Sequence, residues 1–141
     1  MKSAILGFFG IIGSGIAWAL GGWDASVITL LIFMGIDFIT GLIVGGIFHK
    51  SSKTKTGALE SRAGWKGLTK KCITLLFVVM AVRLDVLMGS NYIRDAVCIS
   101  FILNEFISII ENAGLMGVPI PPVITKAIDV LKAKENKTPE Q

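Results

Sequence analysis

Residues 25–48 read ASVITLLIFMGIDFITGLIVGGIF, and residues 49–71 read HKSSKTKTGALESRAGWKGLTKK. The first stretch is apolar across its whole length except for Asp37 at its centre. The second holds Lys50, Lys53, Lys55, Arg62, Lys66, Lys70 and Lys71 against Glu60 alone. An apolar run of that length, at about 1.5 Å per residue in a helix, matches the roughly 30 Å of a bilayer's hydrocarbon core. The abrupt change to lysine marks where such a helix leaves the membrane.

The same alternation extends outward. Ser3 to Trp23 carries no charge, bounded by Lys2 and Asp24. Cys72 to Gly89 is apolar until Arg83 and Asp85, and Tyr92 to Ala113 carries Arg94, Asp95, Glu105 and Glu111. Over all 141 residues, 52% are hydrophobic and 17% charged. An average soluble domain carries about 25% charged residues, so this chain lacks the polar surface to stay dissolved. One histidine and two cysteines argue against a disulfide scaffold or a histidine-based catalytic site.

The expectation is an all-α integral membrane protein of about four transmembrane helices, near 4–22, 26–48, 71–89 and 92–113, within a membrane domain 1–118. A basic loop, 49–70, joins the second and third. Arg94, Asp95, Glu105 and Glu111 make the fourth helix marginal on its own, since a central charge costs about 2.5–3.5 kcal/mol on insertion scales. By the positive-inside rule the basic loop lies in the cytoplasm. Lys2 and the tail lysines Lys126, Lys132, Lys134 and Lys137 then fall on the same side, so both termini are cytoplasmic. The outer turns around Trp23 and Ser90 carry no Lys or Arg. Lys2, the apolar run and Ala17-Trp18-Ala19 also fit a signal peptide with an A-x-A site; the thin basic start favours a span. Gly7, Gly10 and Gly13, and the pair Gly41 and Gly45, offer close helix contacts. Glycine tolerated in any membrane helix reads as well.

Past Gly117-Val118-Pro119-Ile120-Pro121-Pro122, the residues Val123, Ile124, Ala127, Ile128 and Leu131 recur at helical spacing. This predicts an amphipathic helix over 119–134, lying on the inner surface or beneath the bundle. A disordered tail is expected over 135–141.

Ionisable groups at membrane depth are costly and mark candidate sites. At about 100° per residue, Arg94, Cys98, Glu105, Ser108 and Asn112 fall within about 40° of one line along the fourth helix, flanked by Asn104 and Glu111. Ile99, Ile102, Phe106 and Ile109 take the other side. This stripe must face other helices, a water-filled lumen or the interface plane. On the first reading Arg83, Asp85, Arg94 and Asp95 pair near the outer surface, and burial keeps Glu105 neutral. On the second, Asp37, Arg94, Asn104, Glu105, Ser108, Glu111 and Asn112 line a pore once copies assemble.

No enzyme, metal site or cofactor is expected. His49 sits at the membrane edge, Cys72 and Cys98 read as packing residues, and Gly64 to Lys71 does not fit a phosphate-binding loop. The loop cations Lys50, Lys53, Lys55, Arg62, Lys66, Lys70 and Lys71 are better matched to anionic lipid headgroups than to nucleic acid.

Several ordered motifs complete the pattern. Asp37-Phe38-Ile39-Thr40-Gly41 is followed by Ser61-Arg62-Ala63-Gly64-Trp65-Lys66-Gly67. Asn104-Glu105 and Ser108-Ile109-Ile110-Glu111-Asn112-Ala113 come next, then Gly117-Val118-Pro119-Ile120-Pro121. Over residues 26–132 the chain resembles the toxin-secretion/phage-lysis holin family, which includes the clostridial toxin-export holins. The resemblance implies a protein that forms homo-oligomers in the cytoplasmic membrane and opens lesions at a set time. An endolysin, or a large toxin, is then cargo rather than a stable partner. Two other classes stay open: a small channel or transporter subunit using Asp37 and Glu105, and a scaffold subunit of a larger membrane complex.

Overall fold

The computed structural model describes residues 1–137, and all the regular structure in them is helical. Helix α1 runs Lys2–Ala19, α2 Ala25–Gly46, α3 Ser61–Met88, α4 Ile93–Leu115 and α5 Pro122–Glu135. Helices appear within a few residues of the limits expected for the first, second and fourth spans. The third differs: α3 starts at Ser61, so the second half of the expected loop is helix. Nothing between Ser61 and Lys71 breaks helical geometry except Gly64 and Gly67, each only about 1 kcal/mol less favourable there than alanine.

Local chemistry sets the ends. Asp24 caps α2 by accepting from the Val27 amide at 3.1 Å, satisfying a donor that has no partner inside the helix. Gly89 closes α3 in the left-handed conformation at φ 63°, a shape glycine adopts without penalty. Pro122 opens α5 at its first turn, where its missing N–H costs nothing. The expected tail begins at 135, where α5 ends, and residues 138–141 lie outside the described residues.

Helices α2 and α4 form the main packed pair; α3 leans on α4 and barely touches α2, and α5 rests against α4. Leu20, Val27, Leu30 and Met34 meet Val78, Cys98 and Ile102 in a buried apolar layer. The rings of Phe33 and Phe106 pack beside it with centroids 5.4 Å apart. Around this layer the outward faces are strongly apolar: Leu6, Ile11 and Leu87 are each more than 70% exposed. Soluble monomers do not expose apolar surface on that scale. Helices α1 and α2 are each long and apolar enough to cross a membrane, and α1 buries none of its residues in the protein.

Segment 49–60 folds back over the end of α2. A Cβ on Gly45 would come 3.2 Å from the Leu59 backbone, so any side chain there would push that segment back by a few tenths of an ångström. The turn is tied by the Ser51 amide donating to the Gly57 carbonyl at 2.9 Å and the Thr54 hydroxyl to that of Ala58 at 2.9 Å.

Candidate functional site

Two buried polar clusters flank the apolar layer. One gathers around Asp37, midway along α2. Lys71 of α3 donates to Asp37 at 2.8 Å and also pairs with Glu105 of α4. Asn112 donates to the other Asp37 carboxylate oxygen at 3.2 Å and to the Thr40 hydroxyl at 2.9 Å. The Thr40 hydroxyl in turn donates to the Ile36 carbonyl at 2.8 Å, and Ser108 lines the same cleft as Asp37. Asp37, Glu105 and Asn112 are all buried. A charge buried without a partner is severely penalised; here two carboxylates share one ammonium and further donors.

The second cluster surrounds Arg94 at the start of α4. Its guanidinium forms a two-pronged pair with Asp24, one prong at 2.9 Å, and donates to the Leu20 carbonyl at 2.8 Å and the Gly22 carbonyl at 3.3 Å. Asp95 accepts at 3.2 Å. Arg94 thereby binds the α1–α2 turn to the head of α4. The turn needs glycine, since Gly21 sits at φ +80° and a Cβ there would come 3.0 Å from Arg94 Nε. Asp24 lies outside the helices, and its hydrogen bond from Arg94 holds its carboxyl below the ordinary value of 3.8; burial opposes this, and the Val27 amide assists.

The predicted α4 stripe therefore turns toward other helices. Arg94, Cys98, Glu105 and Asn112 are buried and Ser108 half-buried, while Asn104 and Glu111 are exposed. Cys98 joins the apolar layer, whereas Cys72 is exposed. Two sequence expectations need correction. Lys71 does not lie among surface cations: its position on α3 carries it inward to Asp37 and Glu105. Glu105 is buried as expected, and the Lys71 ammonium meets it there. Of the four outer charges only Arg94 and Asp95 pair. Asp85 instead accepts from the Ser90 hydroxyl at 2.6 Å and from the Ile93 and Arg94 amides at 3.0 and 2.9 Å. That satisfies the first turn of α4. Arg83 lies over the Trp18 ring, 5.9 Å from its centroid, and makes no ion pair among the described residues.

Asp24, Thr40 and the inward role of Lys71 escaped the sequence reading. An aspartate just before an apolar run is an N-cap signal, but the arginine that pairs with Asp24 lies seventy positions away. For Lys71 no local signal distinguishes it from its neighbour Lys70.

Above the Asp37 cluster a cleft of about 480 Å³ opens between α2 and α3, backed by α4 and roofed by segment 51–60. Its floor is Asp37, Lys71 and Glu105; Lys53, Lys66 and Lys70 line its sides. Lys50, Lys55 and Arg62 are exposed outside it.

An all-helical bundle with an apolar exterior and two buried polar clusters defines a class, the small membrane helix bundle. Residues 14–133 match the model of the bacteriophage holin family. The chain belongs to that family. It is 34% identical over 113 residues to the "Probable holin" of Bacillus phage phi105, covering 79% of this chain and 78% of that one. It is also 37% identical over 127 residues to an uncharacterized protein of Clostridium perfringens, covering 89% and 88% of the two. An uncharacterized protein of Listeria monocytogenes matches at 35% over the whole chain and 93% of its own length. No solved structure matches.

Proposed function

We propose that this protein crosses the cytoplasmic membrane four times with both termini inside, accumulates there, and oligomerises to open lesions. Those lesions release an endolysin to the cell wall or, in another setting, a large toxin. The observation that carries the reading is the α4 stripe, whose buried polar groups are met by the same chain: Arg94 by Asp24, Glu105 by Lys71, and Asn112 by Asp37 and Thr40. A monomer so closed is a stored form. At high density, contacts between copies replace contacts within one, and Arg94, Glu105, Ser108 and Asn112 come to line water with Asp37. Asn104 and Glu111, already exposed, flank the stripe. The loop cations outside the cleft, Lys50, Lys55 and Arg62, hold the assembly at the inner anionic headgroups.

The test is culture turbidity after induction in bacteria that also carry a cytoplasmic endolysin without an export signal. Sudden clearing that requires both proteins is expected. Glu105→Leu should abolish or retime it at equal expression. Continued growth with confirmed membrane insertion removes the lesion reading, and ion leak without clearing favours a channel using Asp37 and Glu105.

A further inference from the structure

The cleft between α2 and α3 is wider than helix packing requires. Its volume of about 480 Å³ falls in the range of roughly 300–1,000 Å³ usual for small-molecule sites. Small residues hold it open: a Cβ placed on Gly64 or Gly67 of α3 would meet nothing within 4 Å, and one on Gly41 of α2 nothing nearer than 3.9 Å. Three lysines on its sides, Lys53, Lys66 and Lys70, make no ion pair among the described residues. Its floor holds the opposite excess, two carboxylates around the single ammonium of Lys71.

A second feature adjoins it. An apolar groove of about 200 Å³, lined by Phe38, Ser61, Gly64, Trp65 and Leu68, shares Phe38 and Gly64 with the cleft. Trp65 and Leu68 are exposed along it. A single ligand fitting both features carries an anionic group for the lysines, hydrogen-bond donors for the floor carboxylates, and an apolar part leaving sideways between the helices. Those are the parts of an anionic glycerophospholipid with a hydroxylated headgroup.

We propose that the cleft is a headgroup site for such a lipid, of the phosphatidylglycerol type. Its phosphodiester sits among Lys53, Lys66 and Lys70, its glycerol hydroxyls donate toward Asp37 and Glu105, and its acyl chains leave past Phe38 and Trp65. A choline headgroup has no hydroxyl to donate to those carboxylates and cancels the net charge of the phosphodiester, so it binds several-fold more weakly. The site rests on the reading that α3 is embedded beside α2 in the membrane. It differs from surface anchoring because it uses a cavity as well as charge. A lipid bound there wedges apart two helices that scarcely touch, and so props the stored form.

Trp65 reports on the site once Trp18 and Trp23 are replaced by Phe. The full chain in vesicles is titrated with bromine-labelled phosphatidylglycerol or phosphatidylcholine, and the quenching of Trp65 is read. Half-quenching is expected at a several-fold lower mole fraction of the glycerol lipid. Lys66→Gln with Lys70→Gln, and separately Gly67→Leu, should each erase most of that preference, while Lys50→Gln with Lys55→Gln keeps it. Leucine is a better helix former than glycine, so the Gly67 variant tests space rather than folding. Equal quenching by the two lipids overturns the proposal. So does an equal loss in the Lys50 and Lys55 variant, which marks diffuse attraction of any basic surface. Loss of the preference on adding millimolar glycerol phosphate shows a soluble phosphate ligand instead. No quenching by either lipid overturns the embedding of α3, and the site with it.

Discussion

Lys71 is the residue on which the inner cluster turns. Its ammonium is the shared partner of Asp37 and Glu105, with only 12% of its side chain exposed. Removing one partner from a buried ionic group costs about 3–5 kcal/mol, whereas replacing the whole set by neutral groups of similar size can be nearly neutral. Lys71→Met should therefore lower the unfolding temperature in detergent markedly, and the triple variant Asp37→Asn, Lys71→Met, Glu105→Gln should recover most of the loss. Equal stability of the single and triple variants would show that the ammonium does not compensate those carboxylates. At this scale the sequence was half legible. Asp37 and Glu105 announced themselves as charges at membrane depth, but Lys71 stood at the edge of a lysine-rich stretch that explained it without burial.

Between elements, the Arg94 cluster ties the α1–α2 turn to α4, while α1 itself buries none of its residues and meets α3 where Arg83 lies over Trp18. The clamp consists of carbonyls of the α1–α2 turn and the Asp24 carboxylate, all received by one guanidinium. The folded state holds the Asp24 carboxyl below its ordinary 3.8. A depressed carboxyl contributes stability that is present above the unfolded value and is lost as pH falls through the folded one. The difference in thermal stability between wild type and Asp24→Asn should thus be full at neutral pH and shrink below about pH 4. A difference unchanged down to pH 2 would mean that the Asp24 charge does not hold the clamp. The polar periodicity of α4 was readable as a stripe, since 3.6 residues per turn aligns Arg94, Glu105 and Asn112 whatever surrounds them. Its direction was not, because three destinations satisfy the same pattern.

For the whole molecule, two closed polar clusters inside an apolar exterior fit the proposed stored form, and the four crossings we propose would put both ends on one side. A fluorescent protein that folds only in the cytoplasm should mature at either terminus, while an alkaline phosphatase fusion at either terminus should stay inactive. Maturation at one end only would require an odd number of crossings. The beginning of α3 bears on the same scale: with Ser61 to Lys70 helical and alongside α2, the segment expected as free loop shrinks to residues 49–60 and becomes the roof of the cleft.

By itself the sequence determined the helical class, the membrane solvent, the approximate spans of α1, α2 and α4, and the family motifs. Each follows from local composition and period, where one residue and its near neighbours decide the outcome. Only the tertiary structure decided that Arg94 grips Asp24, that Lys71 bridges Asp37 and Glu105, and that α2 and α3 stand apart around a cleft. Those pairings join residues 34 or more positions apart. Their energies depend on distance and desolvation in three dimensions, which no periodicity along the chain encodes.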